Sequence, residues 1–168
     1  MHAEAWNWLQ MEIQPQLATA RQVLDFGGCD VNGSPRGLFS PSTDYLVLDA
    51  RAGNNVDIVA DAVTWNPPPD LRRAFDVALC TEVFEHVEHW RSILYNLWLV
   101  LRPIGTCLIT CATNPRLPHS MVGMIPPPAG EWYANVQPND LLPAMRFLFR
   151  NVEHVIHLRG DLYVRGVR

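Results

Sequence analysis

The chain has 168 residues, 48% apolar and 18% charged, with a net charge of −4. These are the values of one globular domain spanning 1–168, and the acidic balance argues against a nucleic-acid partner. All 13 cationic side chains are arginine, which excludes a lysine Schiff base or lysine nucleophile.

Residues 3–20 carry Trp6, Leu9, Ile13 and Leu17 near helical spacing, which predicts an N-terminal helix with Pro15 bending or interrupting it. QVLDF (22–26) reads as a buried strand. GGCDVNGSPRGLFSP follows as a turn and a short helix, with Ser34 as cap and Pro35 at the first position. YLVLDA (45–50) and VDIVADA (56–62) are the second and third strands, WNPPPD is loop, and FDVALCTE (75–82) is the fourth strand. Trp90, Leu94, Leu97, Trp98 and Leu101 then mark one face of a helix, LRPIG ends it, and TCLITCAT (106–113) is a fifth strand. Residues 114–137 hold five prolines and no periodicity, the composition of a substrate loop or lid. A helix near 139–149 and the strands VEHVIHL and LYVRGV, joined at Arg159-Gly160-Asp161, complete the order.

Alternating strands and helices with continuously apolar strands predict an α/β fold. It is a Rossmann-like, seven-stranded, mostly parallel sheet with helices on both faces and a C-terminal antiparallel hairpin. Cys29, Cys80, Cys107 and Cys111 form no C-x-x-C pair, so they read as free thiols of a cytoplasmic protein. No 18-residue apolar run exists and MHAEAWNWLQ lacks a basic region followed by an apolar core, so neither secretion nor membrane association is expected.

In a sheet of this kind ligands bind beyond the carboxyl ends of the strands. The first turn has the G-x-x-x-x-G spacing of a phosphate loop but no lysine to follow it, and Gly27, Gly28 and Gly33 do not fit the dinucleotide pattern G-x-G-x-x-G. Asp25, Asp49 and Asp61 instead put a carboxylate at three successive strand ends. Such acids suit a ligand with a cationic amine, a ribose diol and an adenine amino group, and suit a pyrophosphate poorly.

With those residues in place, the chain resembles the class I S-adenosylmethionine-dependent methyltransferases over nearly its whole length, in their small-molecule type with a divergent first motif. VLDFGG is similar to the first motif, YLVLDA to the second, VADA to the third and FDVALCTEVFEHV to the fourth. VLRPIGTCLIT is similar to the turn into the fifth strand. The resemblance implies that Asp25, Gly27, Gly28 and Gly33 lie under the methionine part of S-adenosylmethionine and that Asp49 holds the ribose hydroxyls. It further implies Asp61 and Ala62 beside adenine, with Thr81 and Glu82 bordering the pocket. The family's glycine pattern would place glycines at 27, 29 and 31, where this chain has Gly27, Cys29 and Val31. Gly28 and Gly33 are expected to supply the missing freedom, with the turn reshaped around Asn32-Gly33.

The implied reaction moves a methyl group to an O or N of a small-molecule or glycan-type acceptor. A base is required only where the acceptor must lose a proton, and His119, Glu82 and His86 are the candidates. Glu131, Trp132, Tyr133 and Asn135 on the long loop combine apolar surface with hydrogen-bonding groups and are the expected acceptor contacts. His86 and His89 are three apart at a helix start, but nothing else in the sequence recruits ligands to them, so no metal is expected. The alternatives are a non-catalytic methyltransferase-like binding or assembly module and an NAD-binding Rossmann protein.

Overall fold

The sheet is built outward from β1 (Gln22–Phe26), whose side chains are buried from Val23 to Phe26. A computed structural model describes residues 2–13, 15–31 and 33–168, so the expected pivot at Asn32 lies outside the described residues. Parallel to β1 run β2 (Asp44–Asp49) on one side and β4 (Phe75–Thr81) on the other. Beyond β2 lies β3 (Ile58–Val59), two residues long where seven were expected. Before it, the Asp57 side chain takes the Val47 N–H of β2, and after it Asp61 accepts from the Val63 N–H as the chain turns, so the strand stops at Val59.

Beyond β4 come β5 (Leu101–Ala112), β7 (Asp161–Val167) and β6 (Arg150–His157), giving the order β3-β2-β1-β4-β5-β7-β6. The last two strands form the expected antiparallel pair, with β7 running against β5. Leu101 already pairs with Phe75, so LRPIG belongs to the strand and not to a separate turn. It forms an irregularity in which Ile104 takes φ 64°. Gly105 lies so close under the Phe75 and Arg102 carbonyls that an added Cβ would meet them at 3.0–3.1 Å.

Side chains alternate across the strands, which divides the core into two layers. Val23, Val47, Val77, Leu79 and Leu108 face α1 (Ala3–Glu12), where Trp8 stacks on Tyr163 at 5.2 Å. Leu24, Phe26, Ala78, Cys80, Cys107 and Ile109 face α3 (Trp90–Val100) and α4 (Pro138–Leu148). In α3 the buried residues Trp90, Ile93, Leu94, Leu97 and Val100 recur every three to four positions, so one stripe faces the sheet.

The helical segment expected over 3–20, with Pro15 bending or interrupting it, is interrupted and forms two helices. Ile13 leaves helical geometry with ψ 56°, and α2 (Pro15–Ala18) restarts at the proline. A proline has no N–H to continue the ladder and obstructs the preceding turn. At the amino ends of the strands, Asp76 accepts from the N–H groups of Arg21 and Gln22 (2.6 and 3.1 Å) and pairs with Arg102 at 2.5 Å. That end is fastened shut. The opposite end, where β1 and β4 diverge in chain order, is open.

Candidate active site

The open end holds a cavity of about 730 Å³, in the range of small-molecule sites. It is lined by the residues that follow β1, β2, β3 and β4: Asp25, Gly27, Gly28, Gly33, Asp49, Asp61, Ala62, Thr81, Glu82 and His86 all border it. All eight residues expected to bind the cofactor are thus brought to one space, together with two of the three candidate bases.

The first turn has a physical reason for each of two glycines. Gly27 takes φ +71°, and an added Cβ would meet Val83 Cγ2 at 2.4 Å. A Cβ at Gly28 would meet Asp25 Oδ2 at the same distance. The turn therefore lies directly over the Asp25 carboxylate, which is fully buried and takes a hydrogen bond from Tyr45 Oη at 2.8 Å. Burial, together with the nearby Asp49 and against the Tyr45 bond, pushes the Asp25 carboxyl up to about 7. Asp49 sits higher, accepting from the N–H groups of Cys29 (3.3 Å) and Arg51 (3.0 Å). Asn96 on α3 donates to the carbonyls of Ala62 (3.0 Å) and Trp65 (2.7 Å), fixing the cavity wall at Ala62.

Glu82, with φ +57°, turns back onto β5, where Thr110 donates to its carboxylate at 2.8 Å. His2, just before α1, places Nε2 3.3 Å from both Glu82 Oε2 and Asp161 Oδ1, between two carboxylates and not aligned on either. Arg116 also pairs with Asp161. Asp161 and then Glu82 raise His2 to about 10 against the effect of burial. Burial drives Glu82 up, yet the His2 bond holds it below the ordinary carboxylate range. His2, Tyr45, Asn96, Arg116 and Asp161 are neighbours of the site residues that sequence spacing did not reveal, because each comes from an element distant in the chain.

His119 does not border the cavity. Its ring packs edge-on against His86 at 5.3 Å and tilted against Tyr133 at 4.8 Å, and Tyr133 also meets His86 edge-on at 5.5 Å. Burial, with His119 adding to it, lowers His86 to about 4. The loop closes toward the cavity through Met121 and Val122, which line it, and Arg51 reaches Met121 Sδ at 3.4 Å.

The expected acceptor contacts separate in space. Tyr133 joins the histidine cluster, and its hydroxyl donates to Asn135 Oδ1 at 2.7 Å. Asn135 donates to the Arg116 carbonyl and to Asn114, and the Glu131 carboxylate accepts from the Met121 N–H, so both hold the loop's shape. Trp132 lies in a separate, smaller cleft with Trp90, Arg91 and Asp140. Phe84, which stacks on Trp90 at 5.3 Å, also lines that cleft.

Residues 40–109 match a family of proteins described as a methyltransferase domain. Among solved structures the chain is similar to 1,6-didemethyltoxoflavin-N1-methyltransferase from Burkholderia thailandensis, which was solved with 1,6-didemethyltoxoflavin and S-adenosylhomocysteine bound. The two are 13% identical with a TM-score of 0.69 over 98% of this chain and 78% of that one. It is also similar to an S-adenosylmethionine-dependent methyltransferase from Mesorhizobium loti (15% identity, TM-score 0.69, 99% and 98% covered). A third is the N-methyltransferase NodS from Bradyrhizobium japonicum WM9 (13% identity, TM-score 0.65, 98% and 94% covered). No curated protein matches the chain in sequence. The match over 40–109 is to a methyltransferase domain, and the likeness to these structures shows that the chain has their Rossmann-like fold.

The residues present fit the family's cofactor. The glycine turn leaves backbone where a side chain would block, and carboxylates stand at the ends of β1 and β2 and just beyond β3. Among the described residues, no helix is long and apolar enough to cross a membrane.

Proposed function

We propose that the protein transfers a methyl group to an oxygen or nitrogen of a small-molecule or glycan-type acceptor, working in a reducing compartment such as the cytoplasm. The observation that carries this reading is the convergence of Asp25, Asp49 and Asp61 with the Gly27-Gly28 turn on one cavity. S-adenosylmethionine, when bound, supplies an electrophilic methyl on a sulfonium.

The chain's own residues then bind, orient and exclude water. Asp49 accepts from ribose hydroxyls, Asp61 and Ala62 meet the adenine, and Gly27, Gly28 and Gly33 with Asp25 and Thr81 hold the aminoacid end. Met121 and Val122 cover the opening, and the acceptor sits toward His86, His119 and Tyr133. Positioning alone of this kind contributes ~7 kcal/mol or more to a displacement.

The three candidate bases are unequal. Glu82 is committed to His2 and Thr110, and His86 at about 4 has little proton affinity at neutral pH. The Leu117 carbonyl can only accept, so His119 donates to it through Nδ1 at 3.0 Å and keeps Nε2 free. His119 is the base where one is needed.

Calorimetry tests the reading: S-adenosylmethionine and S-adenosylhomocysteine bind, and NAD and ATP do not. Binding of NAD alone would return the chain to the dinucleotide class. Incubation with labelled S-adenosylmethionine and host extract then identifies the compound that gains the methyl group.

A further inference from the structure

We infer that Glu85, His86 and His119 form a binding site for one divalent transition-metal ion of the zinc, iron or manganese type, beside the cofactor cavity. One ligand atom from each of the three lies within 4.8 Å of the others. A tetrahedral ion with bonds near 2.1 Å spaces its ligands about 3.4 Å apart, so side-chain motions of about an ångström close the set.

Two further observations point to a cation. Glu85 is fully buried, and while its Oε1 accepts from the Ala112 N–H at 3.2 Å, Oε2 has no hydrogen-bond partner among the described residues. His86 Nδ1 is likewise buried without a partner. Leaving a carboxylate oxygen and an imidazole nitrogen both unpaired is costly unless something satisfies them together. The second observation is the Nδ1 donation of His119 to the Leu117 carbonyl. Ligating histidines characteristically make this bond, which fixes the tautomer and aims the other lone pair at the metal.

Two imidazoles and one carboxylate leave coordination positions open, and nitrogen ligands disfavour magnesium and calcium. The neighbouring Glu82 is taken by His2 and Thr110, so it does not close the shell. The open positions suit a hydroxyl of the acceptor. With the ion bound, His119 is a ligand and the ion takes the place of a base: the hydroxyl's pKa falls on coordination, its proton passes to solvent, and the oxygen is presented as an anion. The acceptor class that follows is a hydroxylated, metal-chelating molecule. That role, though not the binding itself, rests on the methyl-transfer reading.

The test uses the whole chain after chelator dialysis, with Zn²⁺ or Co²⁺ added and free ion removed by gel filtration. Elemental analysis is expected to find one ion per chain, with a visible Co²⁺ spectrum. His119→Ala and Glu85→Gln should each weaken the ion at least about a hundredfold. His119→Ala should keep S-adenosylhomocysteine affinity within about threefold, which shows that the variant is folded. Wild type that binds S-adenosylhomocysteine but retains none of Zn²⁺, Co²⁺, Mn²⁺ or Fe²⁺ overturns the site, as does a folded His119→Ala that holds the ion like wild type. An ion bound by protein that does not bind S-adenosylhomocysteine upholds the site and overturns the methyl-transfer role.

Discussion

Replacing His2 with alanine removes the cation shared by Glu82 and Asp161. The imidazole is raised from 6.5 to about 10, which without discount corresponds to about 5 kcal/mol. The side chain is 22% exposed and Arg116 remains beside Asp161. Solvent screening and that second partner reduce the expected loss to ~2 kcal/mol. A chain of this size should then melt about 4–8 °C lower. Because the folded pKa is raised, the contribution is complete below pH 6.5, about half gone near pH 8, and lost by pH 10. Differential scanning calorimetry of both proteins at pH 6, 8 and 10 measures this. The gap should be widest at pH 6 and vanish at pH 10. Equal melting temperatures at pH 6, or a gap that does not narrow toward pH 10, would refute the bridging role of His2.

Asp49→Ala should weaken S-adenosylhomocysteine binding at least tenfold, since a hydrogen bond to a charged group contributes ~1.5–3 kcal/mol; calorimetry on the folded variant decides it. Asp25 is raised from 3.8 to about 7, so wild type loses stability as pH rises through that window while an amide does not. Asp25→Asn should therefore melt higher than wild type at pH 8, by ~1–2 kcal/mol, with the difference gone near pH 4. Tyr133→Ala should leave S-adenosylhomocysteine affinity within about threefold, under ~1 kcal/mol, yet lower methyl transfer at least tenfold by single-turnover assay.

The residues that line the cavity were legible in the sequence because they sit at strand ends. Buried apolar runs stopping at Asp25, Asp49 and Thr81 announce both the sheet and the edge where ligands bind. Short-range patterning also located α3 and the closing hairpin. It failed where side chains and pairing overrode it: residues 56–62 look like a strand, but Asp57 takes the Val47 N–H through its side chain and Asp61 starts a turn. LRPIG looks like a turn, but Leu101 is already hydrogen-bonded beside Phe75. The acceptor side was less legible still. His86 and His89 share a spacing, yet the partner that reaches His86 is His119, from a loop 33 positions on. His2 meets Asp161 across almost the whole chain. Contacts of that kind are created by topology, and no local period encodes them.

The burial of three of the four cysteines gives the molecule a built-in reporter. Cys80, Cys107 and Cys111 have no solvent exposure, and burial raises each thiol well beyond its ordinary range. Cys29 alone is partly exposed, and it borders the cavity with its N–H bonded to Asp49. An alkylating probe therefore meets one sulfur in the native protein, at the spot where ribose and aminoacid ends of a ligand would join. Its labelling rate should fall when a ligand fills the cavity, which makes the native thiol a reporter without a single engineered cysteine.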